Sequence, residues 1–390
     1  MSKKLSLITL LCFIVGAIFG LVFPTISPLI AFIGTIYTNL LKIMIVPVLS
    51  CSIIAALANK EANSSKITIK AIVLFVVMFC LSFLVCLGLW AIIKPGVNFL
   101  FDNVVWEGEA ISASIQDFFL NIFPSNIIEA ASNNSILPVI IFAFVFGLIA
   151  NKIKSESVNK VIIDLSKIFN EMLRYVMYLT PTGVFALVAN TSSVFGSKIV
   201  GATATYVCCA YLGCLVVALL IMILPVWIIC KIDPLTYIKK VYKVWLITLS
   251  TCSSAATLPC TIKTCNEEFG IPDRITNIVV PLGCTIHMCG GAVSFSLLAM
   301  LNLQLFGVPV TFGLVLIMLL LALLLNMGAP GIPGGGVVIG ASYLSAIGLP
   351  LTFIGFYAGI YRVLDMAYTT MNVCGDITAN LIINHYENNK

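Results

Sequence analysis

The sequence predicts an all-α polytopic membrane protein, and three observations carry that prediction. Of the 390 residues, 60% are hydrophobic and only 9% charged, with a mean hydropathy of +1.11, whereas a soluble domain carries roughly a quarter charged residues. Eight apolar stretches approach or exceed the roughly 20 residues that a bilayer-spanning helix needs. Lysines gather in alternate connections, the bias that orients membrane helices.

In chain order the apolar stretches run about 5–23, 29–58, 67–93, 136–151, 158–190, 198–231, 275–303 and 350–384. The first follows Lys3 and Lys4 and imitates a signal peptide, but no small-residue cleavage pattern follows it and a second run begins at once. It is therefore expected to remain as the first transmembrane helix. Two further stretches, about 235–262 and 309–347, are interrupted by small residues and prolines. Lys3 and Lys4, then Lys60, Lys66 and Lys70, then Lys152, Lys154 and Lys160, then Lys231, Lys239, Lys240 and Lys243 mark one side of the membrane. Both termini are thus expected in the cytoplasm of a multi-pass protein of the cell (plasma) membrane. The segment 94–134 holds Asp102, Glu107, Glu109, Asp117 and Glu129 with Lys94 as its only basic residue. It is expected outside, as an extracellular loop over 94–135.

The same composition excludes several classes of function. A net charge of +5 without a basic run gives no footprint for nucleic acid. The 14 cysteines are scattered through apolar stretches, as with Cys208, Cys209, Cys214 and Cys230, where cysteine behaves as a small hydrophobe. Only two histidines occur, His287 and His385, which argues against a multi-histidine metal centre. No organic cofactor is implied.

Everything chemically unusual follows residue 250. Thr251-Cys-Ser-Ser-Ala-Ala-Thr-Leu-Pro259 interrupts one apolar stretch and Gly328-Ala-Pro-Gly-Ile-Pro-Gly-Gly-Gly336 the other. Neither sequence is expected to continue a helix, and unpaired backbone is not tolerated against lipid. Each stretch is therefore expected to form two half-helices meeting at a tip inside protein, where helix N-termini offer N–H groups to an anion. Thr285-Ile-His-Met-Cys-Gly-Gly291 resembles Thr370-Met-Asn-Val-Cys-Gly-Asp376, and each follows one of the interrupted stretches. Internal duplication with broken helices in matching positions points to the binding site of a secondary transporter.

The last helix carries Asp365, Thr369, Asn372 and Asp376 at i, i+4, i+7 and i+11, within roughly 60° of one another. Polar stripes also glue helices together, but two carboxylates inside a membrane exceed what adhesion needs and mark a functional site. Arg362, one turn before Asp365, is placed to neutralise it. Enzyme chemistry is excluded on geometry. Asp365 and Asp376 lie about 16 Å apart along one helix, too far to share a proton. Ser253 or Ser254 with His287 lacks a nucleophile elbow or an orienting carboxylate.

These residues, together with Lys42-Ile-Met-Ile-Val-Pro47 and Tyr178-Leu-Thr-Pro-Thr-Gly-Val-Phe185, resemble the dicarboxylate/amino acid:cation symporter family, over nearly the whole chain. The motifs carrying the resemblance are Ser253-Ser254…Thr257-Leu-Pro259, Pro333-Gly-Gly-Gly336 and Leu364-Asp-Met…Thr370-Met-Asn-Val-Cys-Gly-Asp376. The resemblance implies the glutamate-transporter (elevator) fold: a homotrimer whose subunits have eight transmembrane helices and two re-entrant helical hairpins. It implies scaffold and trimerisation elements at 1–66 and 136–197. A transport domain is implied at 67–93 and 198–390, with hairpin 1 about 233–265, a broken helix about 275–303, hairpin 2 about 309–347 and a last helix about 350–384.

Carried over position by position, the resemblance makes Ser253, Ser254, Gly291, Ile332, Pro333, Gly336, Asp365, Tyr368, Thr369 and Asn372 the substrate contacts. Asp365 would receive an α-ammonium group. The family's arginine for a side-chain carboxylate falls at Tyr368, its threonine partner at Gly291, and a first-hairpin arginine of some members at Cys252. A tyrosine cannot neutralise a buried carboxylate, and Arg362 sits about 120° around the helix from Tyr368. A neutral amino acid is therefore expected, the glycine leaving room for a larger side chain.

For sodium, one site is implied at Gly283, His287, Asn372 and Asp376, and a second at Thr285, Met288, Asn326, Met327 and Ala329. The third falls on Cys289, His287, Phe75, Met78 and Phe79, which offer no hard oxygen, so it is expected to be lost. Proton coupling through His287, an acidic amino acid or dicarboxylate as substrate, and a passive channel remain the alternatives to a sodium-coupled symporter.

Overall fold

The computed structural model of the chain describes residues 3–58, 66–96, 123–132, 136–153, 155–327 and 335–388. Every element among them is helical; besides π-helical turns at Ala218–Ile223 and Thr264–Glu268 there are sixteen α-helices. They are α1 Lys3–Val22, α2 Ser27–Ala58, α3 Lys66–Ile93, α4 Ile127–Ser132, α5 Ile136–Ile153, α6 Glu156–Tyr178, α7 Thr180–Phe195, α8 Ser197–Val217, α9 Leu224–Cys230, α10 Pro234–Thr251, α11 Ser254–Lys263, α12 Asp273–Ile286, α13 Cys289–Leu305, α14 Phe312–Met327, α15 Gly335–Ala346 and α16 Ile354–Asn388.

The expected elements are present with three differences. The stretch expected as one helix over 158–190 is two, α6 and α7, bent by 53°. Pro181, at the start of α7, lacks the N–H that a continuous helix would bond to the carbonyl of Met177. The polar segment before α5 contains the short helix α4, its first turn held by the Asn126 side chain accepting from the Ile128 N–H at 2.9 Å. The third difference is at the tip over 251–259, where the break is narrower than expected. Only Cys252 and Ser253 leave the helix, and α11 runs through Pro259. A missing proline hydrogen bond is tolerated where neighbouring elements enclose the backbone.

Four described segments are long and apolar enough to cross a membrane: Ser27–Ala55, Lys66–Ile93, Gly201–Cys230 and Asp273–Leu305. The bent α6–α7 pair makes a fifth candidate, while Leu7–Val22 and Ile141–Ile153 are apolar but shorter. The third of these segments unites α8 and α9 through a π-helical turn at Ala218–Ile223. The fourth unites α12 and α13 across a break at His287 and Met288. Helix α16 is absent from this group because its polar stripe lowers its hydropathy; it is buried nearly all round, as an inner helix is.

The helices pack in two groups. In one, α1 lies on α7, and α2 lies on α5, α6 and α7. In the other, α16 is surrounded by α8 to α13, and α3 packs on α12 and α13. Aromatic side chains fill this second core, among them Phe75, Phe79, Phe83, Trp90, Tyr206, Tyr237 and Tyr357. The groups meet where the start of α16 faces α1 and α7, with Phe13 edge-on to Phe356 at 5.7 Å between centroids. An ion pair between Lys70 and Glu387 ties the end of α16 to the start of α3.

The α1–α7 contact is backbone on backbone. Gly16 and Gly20 are one helical turn apart, and a Cβ at Gly16 would come within 2.8 Å of the Phe185 carbonyl oxygen; at Gly20 it would strike that of Ala189. Small residues at this spacing let membrane helices approach closely. Gly20→Leu is expected to cost about 1–3 kcal/mol through overpacking. It should lower the thermal midpoint of the detergent-purified protein, and an unchanged midpoint would contradict so tight a contact.

Candidate functional site

The site is assembled from two interruptions in helical order, the facing ends of α14 and α15, and one striped helix. At the tip between α10 and α11, Cys252 takes a left-handed backbone conformation (φ 49°), and the Ser253 side chain then caps α11 by accepting from the Ala256 N–H at 3.2 Å. This turn leaves Ser254 as the first residue of α11 with its backbone N–H uncommitted to the helix ladder. The second interruption is the pair His287 and Met288, in extended and irregular backbone, which separates the carbonyl end of α12 from the amide end of α13. The tip expected between α14 and α15, with Ala329, Ile332 and Pro333, lies outside the described residues.

Between these ends and α16 lies a cavity enclosing about 570 Å³ of empty space, part of it open to solvent. Of the positions expected as substrate contacts, Ser254, Gly291, Gly336, Asp365, Tyr368, Thr369 and Asn372 line it. Ser253 does not; its hydroxyl serves the helix cap. Met288 and Asn326, expected as ion-site residues, line it too. Asp365 is the one acidic residue in this lining, and the lining contains no lysine, arginine or histidine among the described residues.

Each polar group is held. The Thr369 hydroxyl donates to Asp365 Oδ1 at 3.1 Å, one turn along α16. Asn372 Oδ1 accepts from the Gly290 N–H at 2.8 Å, and its Nδ2 approaches the Met288 sulfur at 3.4 Å. The two repeated motifs have a physical reason here. Gly290 lies against the backbone of Tyr368 and Gly375 against the His287 ring, so the glycine of each motif lets α13 and α16 approach.

Arg362 does something other than neutralise Asp365. Its guanidinium donates to the carbonyls of Ser250 at 2.8 Å and Thr251 at 3.2 Å, at the C-terminal end of α10. A cation is well placed there, against the negative pole of the helix. Nor does Gly291 open room for a larger side chain: a Cβ there would strike the Asn326 side chain, which fills the space.

One helix turn deeper, His287 Nδ1 lies 2.9 Å from Asp376 Oδ1, both side chains essentially inaccessible (0% and 2% exposed). With Asp376 ionised its carboxylate accepts, so Nδ1 carries the proton and Nε2 faces the Cys289 thiol at 3.0 Å as an acceptor. Phe75 stacks on the imidazole at 4.6 Å between centroids. Phe75, Met78, Phe79, His287 and Cys289 thus form a packed, buried cluster rather than a ring of oxygens. The Gly283 carbonyl accepts from the His287 N–H at 2.8 Å, which brings Gly283, His287, Asn372 and Asp376 to the same break. Thr285 is exposed near the end of α12, its hydroxyl donating to the Leu282 carbonyl at 2.9 Å. Met327 ends α14, and Ala329 lies outside the described residues.

Sequence reasoning missed the aromatic wall. Tyr357 and Tyr361 line the cavity with Phe295, Ser294, Ile339 and Cys252. Tyr357 bonds the Ser294 hydroxyl at 2.7 Å, while the Tyr368 hydroxyl is buried with no hydrogen-bond partner among the described residues. A signal existed: 357, 361, 365, 368 and 372 continue one helical stripe, which begins two turns before Asp365.

Comparison with known proteins completes the picture. A family model described as the sodium:dicarboxylate symporter family matches residues 5–386. A proton/glutamate-aspartate symporter of Bacillus subtilis is 29% identical, the match covering 99% of this chain and 96% of the relative. A C4-dicarboxylate transport protein of the same organism is 27% identical over 99% and 94%. A neutral amino acid transporter B(0) of Oryctolagus cuniculus is 27% identical over 91% and 73%. Three different cargoes at nearly equal identity leave the substrate to be argued from the cavity. With its family model matched from the first helix to the last and its polar groups gathered around a cavity, the chain belongs to the sodium:dicarboxylate symporter family, a family of membrane transporters and not of enzymes.

Proposed function

We propose that this cation-coupled symporter imports an amino acid with a neutral side chain, driven by sodium. The observation that carries this is the lining of the cavity: one carboxylate, Asp365, and no cationic side chain among the described residues. Asp365, with Thr369 beside it, suits an α-ammonium group through charge-assisted hydrogen bonds. The amide end of α11 at Ser254 suits the α-carboxylate. A second carboxylate would meet Tyr357, Tyr361, Tyr368 and Phe295, and burying it without a cation costs several kcal/mol. Arg362 is committed to Ser250 and Thr251.

For the ions, Gly283, His287, Asn372 and Asp376 are proposed as one sodium site, and Thr285, Met288, Asn326, Met327 and Ala329 as a second. The oxygen-poor packing of Phe75, Met78, Phe79 and Cys289 around His287 supports loss of a third. Proton coupling is the second reading, favoured by the His287–Asp376 contact at the carboxylate that sodium would use.

The two packing groups support an elevator in which 67–93 and 198–390 move against a scaffold of 1–66 and 136–197. Eight spans and two re-entrant hairpins, α10–α11 and α14–α15, follow from that assignment. On α6 and just beyond it, Val158, Val161, Leu165, Ile168, Met172, Tyr175 and Leu179 form an exposed apolar seam at coiled-coil spacing. Such a seam suits other copies of the chain, in keeping with a homotrimer. The plasma membrane with cytoplasmic termini remains the proposed setting, on the lysine pattern.

The test is uptake of labelled amino acids into proteoliposomes under separate sodium and proton gradients. Alanine, serine or glutamine should accumulate under sodium alone and aspartate should not compete. Tyr368→Arg should raise the aspartate-to-alanine ratio at least about tenfold by restoring a charge pair. Aspartate competing as well as neutral amino acids in the wild type would refute the neutral assignment, and accumulation under a proton gradient alone would refute sodium.

A further inference from the structure

Asn326 lines the cavity at the end of α14 and is only 4% exposed. Its Nδ2 donates to the Ala322 carbonyl at 2.8 Å. That bond fixes the orientation of the amide, because a flip would set two oxygens against each other. The remaining atom, Oδ1, has no hydrogen-bond partner among the described residues. It is also the atom that a Cβ at Gly291 would strike first, so it stands directly over the first turn of α13. From there the Gly290–Asn372 bond leads back along α16 to Thr369 and Asp365. The oxygen faces the cavity and is not among the sealed, unsatisfied polar atoms, so a bound molecule that shuts water away from it must supply a donor or leave it costly and unpaired.

We propose that Asn326 is a specificity-determining residue, its amide oxygen accepting a hydrogen bond from the side chain of the transported molecule. The inference rests on the neutral amino acid proposed above and narrows it to side chains that donate, a hydroxyl or a carboxamide. An apolar side chain leaves the oxygen orphaned. A carboxylate sets acceptor against acceptor, so the same atom that favours a donor also works against an acidic cargo.

The test is competition against labelled alanine uptake by the full chain in proteoliposomes, at a fixed sodium gradient, with serine, glutamine and leucine as competitors. Asn326→Leu removes the acceptor, and Gly291→Ala displaces it with a Cβ while keeping the amide. In both, the apparent affinity for serine and glutamine relative to alanine should fall about tenfold, the scale of one hydrogen bond, with the leucine-to-alanine ratio moving the other way or not at all. Serine and glutamine ratios unchanged in both variants would overturn the inference. So would a change confined to the sodium concentration for half-maximal uptake, which would make the oxygen an ion ligand. Wild-type protein that accumulates aspartate in preference to alanine would remove the neutral cargo and this inference together. Wild-type preference for neutral amino acids with an unresponsive pair of variants would remove this inference alone.

Discussion

Asp365→Ala is expected to abolish concentrative uptake while leaving a folded protein. The carboxylate is buried and accepts from Thr369, and it is the one acidic group among the described residues lining the cavity. Without it an ammonium group would enter the cavity with no counter-charge. Stranding a buried charge costs about 3–5 kcal/mol, so binding should weaken by roughly two to four orders of magnitude. The fold loses little, since the Thr369 hydroxyl has the helix carbonyl of Asp365 within reach as an alternative acceptor. Equilibrium binding and uptake, read beside the thermal midpoint, check this. Binding within about tenfold of wild type would show that the cargo carries no ammonium at this position.

Asp376 should show the second large effect, on the ion rather than the cargo. Asp376→Ala removes a charge and also orphans the His287 Nδ1–H, and a buried unsatisfied donor costs about 1–3 kcal/mol, so stability and coupling would fall together. Asp376→Asn separates them, because the amide oxygen still accepts from His287 while the charge is gone. The asparagine variant should keep its thermal midpoint and lose the rise in substrate affinity that the driving cation produces. Wild-type cation dependence in Asp376→Asn would remove this carboxylate from the ion path.

Much of this site was legible in the sequence because local rules governed it. Two helix-breaking runs, a repeated Cys-Gly motif and polar residues at i, i+4, i+7 and i+11 each act within a few residues of chain. The hairpin tip at Cys252, the break at His287 and the buried stripe on α16 follow from them. What was not legible depends on which way side chains point across helices. Arg362 reaches the α10 terminus rather than Asp365, and periodicity on one helix carries no information about a neighbour's carbonyls. Asn326 fills the space at Gly291, a contact between positions 35 apart that spacing alone does not reveal. The tyrosines were overlooked because an aromatic ring reads as apolar, although Tyr357 and Tyr361 keep the stripe's phase. The Gly16 and Gly20 pair was a readable signal that hydropathy alone obscures.

Because the chain is severed for only two residues between α12 and α13, one crossing delivers backbone poles of both signs to nearly the same point. An intact helix would cancel them internally. Here each severed end contributes roughly half an elementary charge, carbonyl oxygens on one side and amide hydrogens on the other, without the cost of placing an ionised side chain there. Those poles belong to the main chain, so replacing the side chains around them changes what the pocket prefers and leaves its underlying field in place.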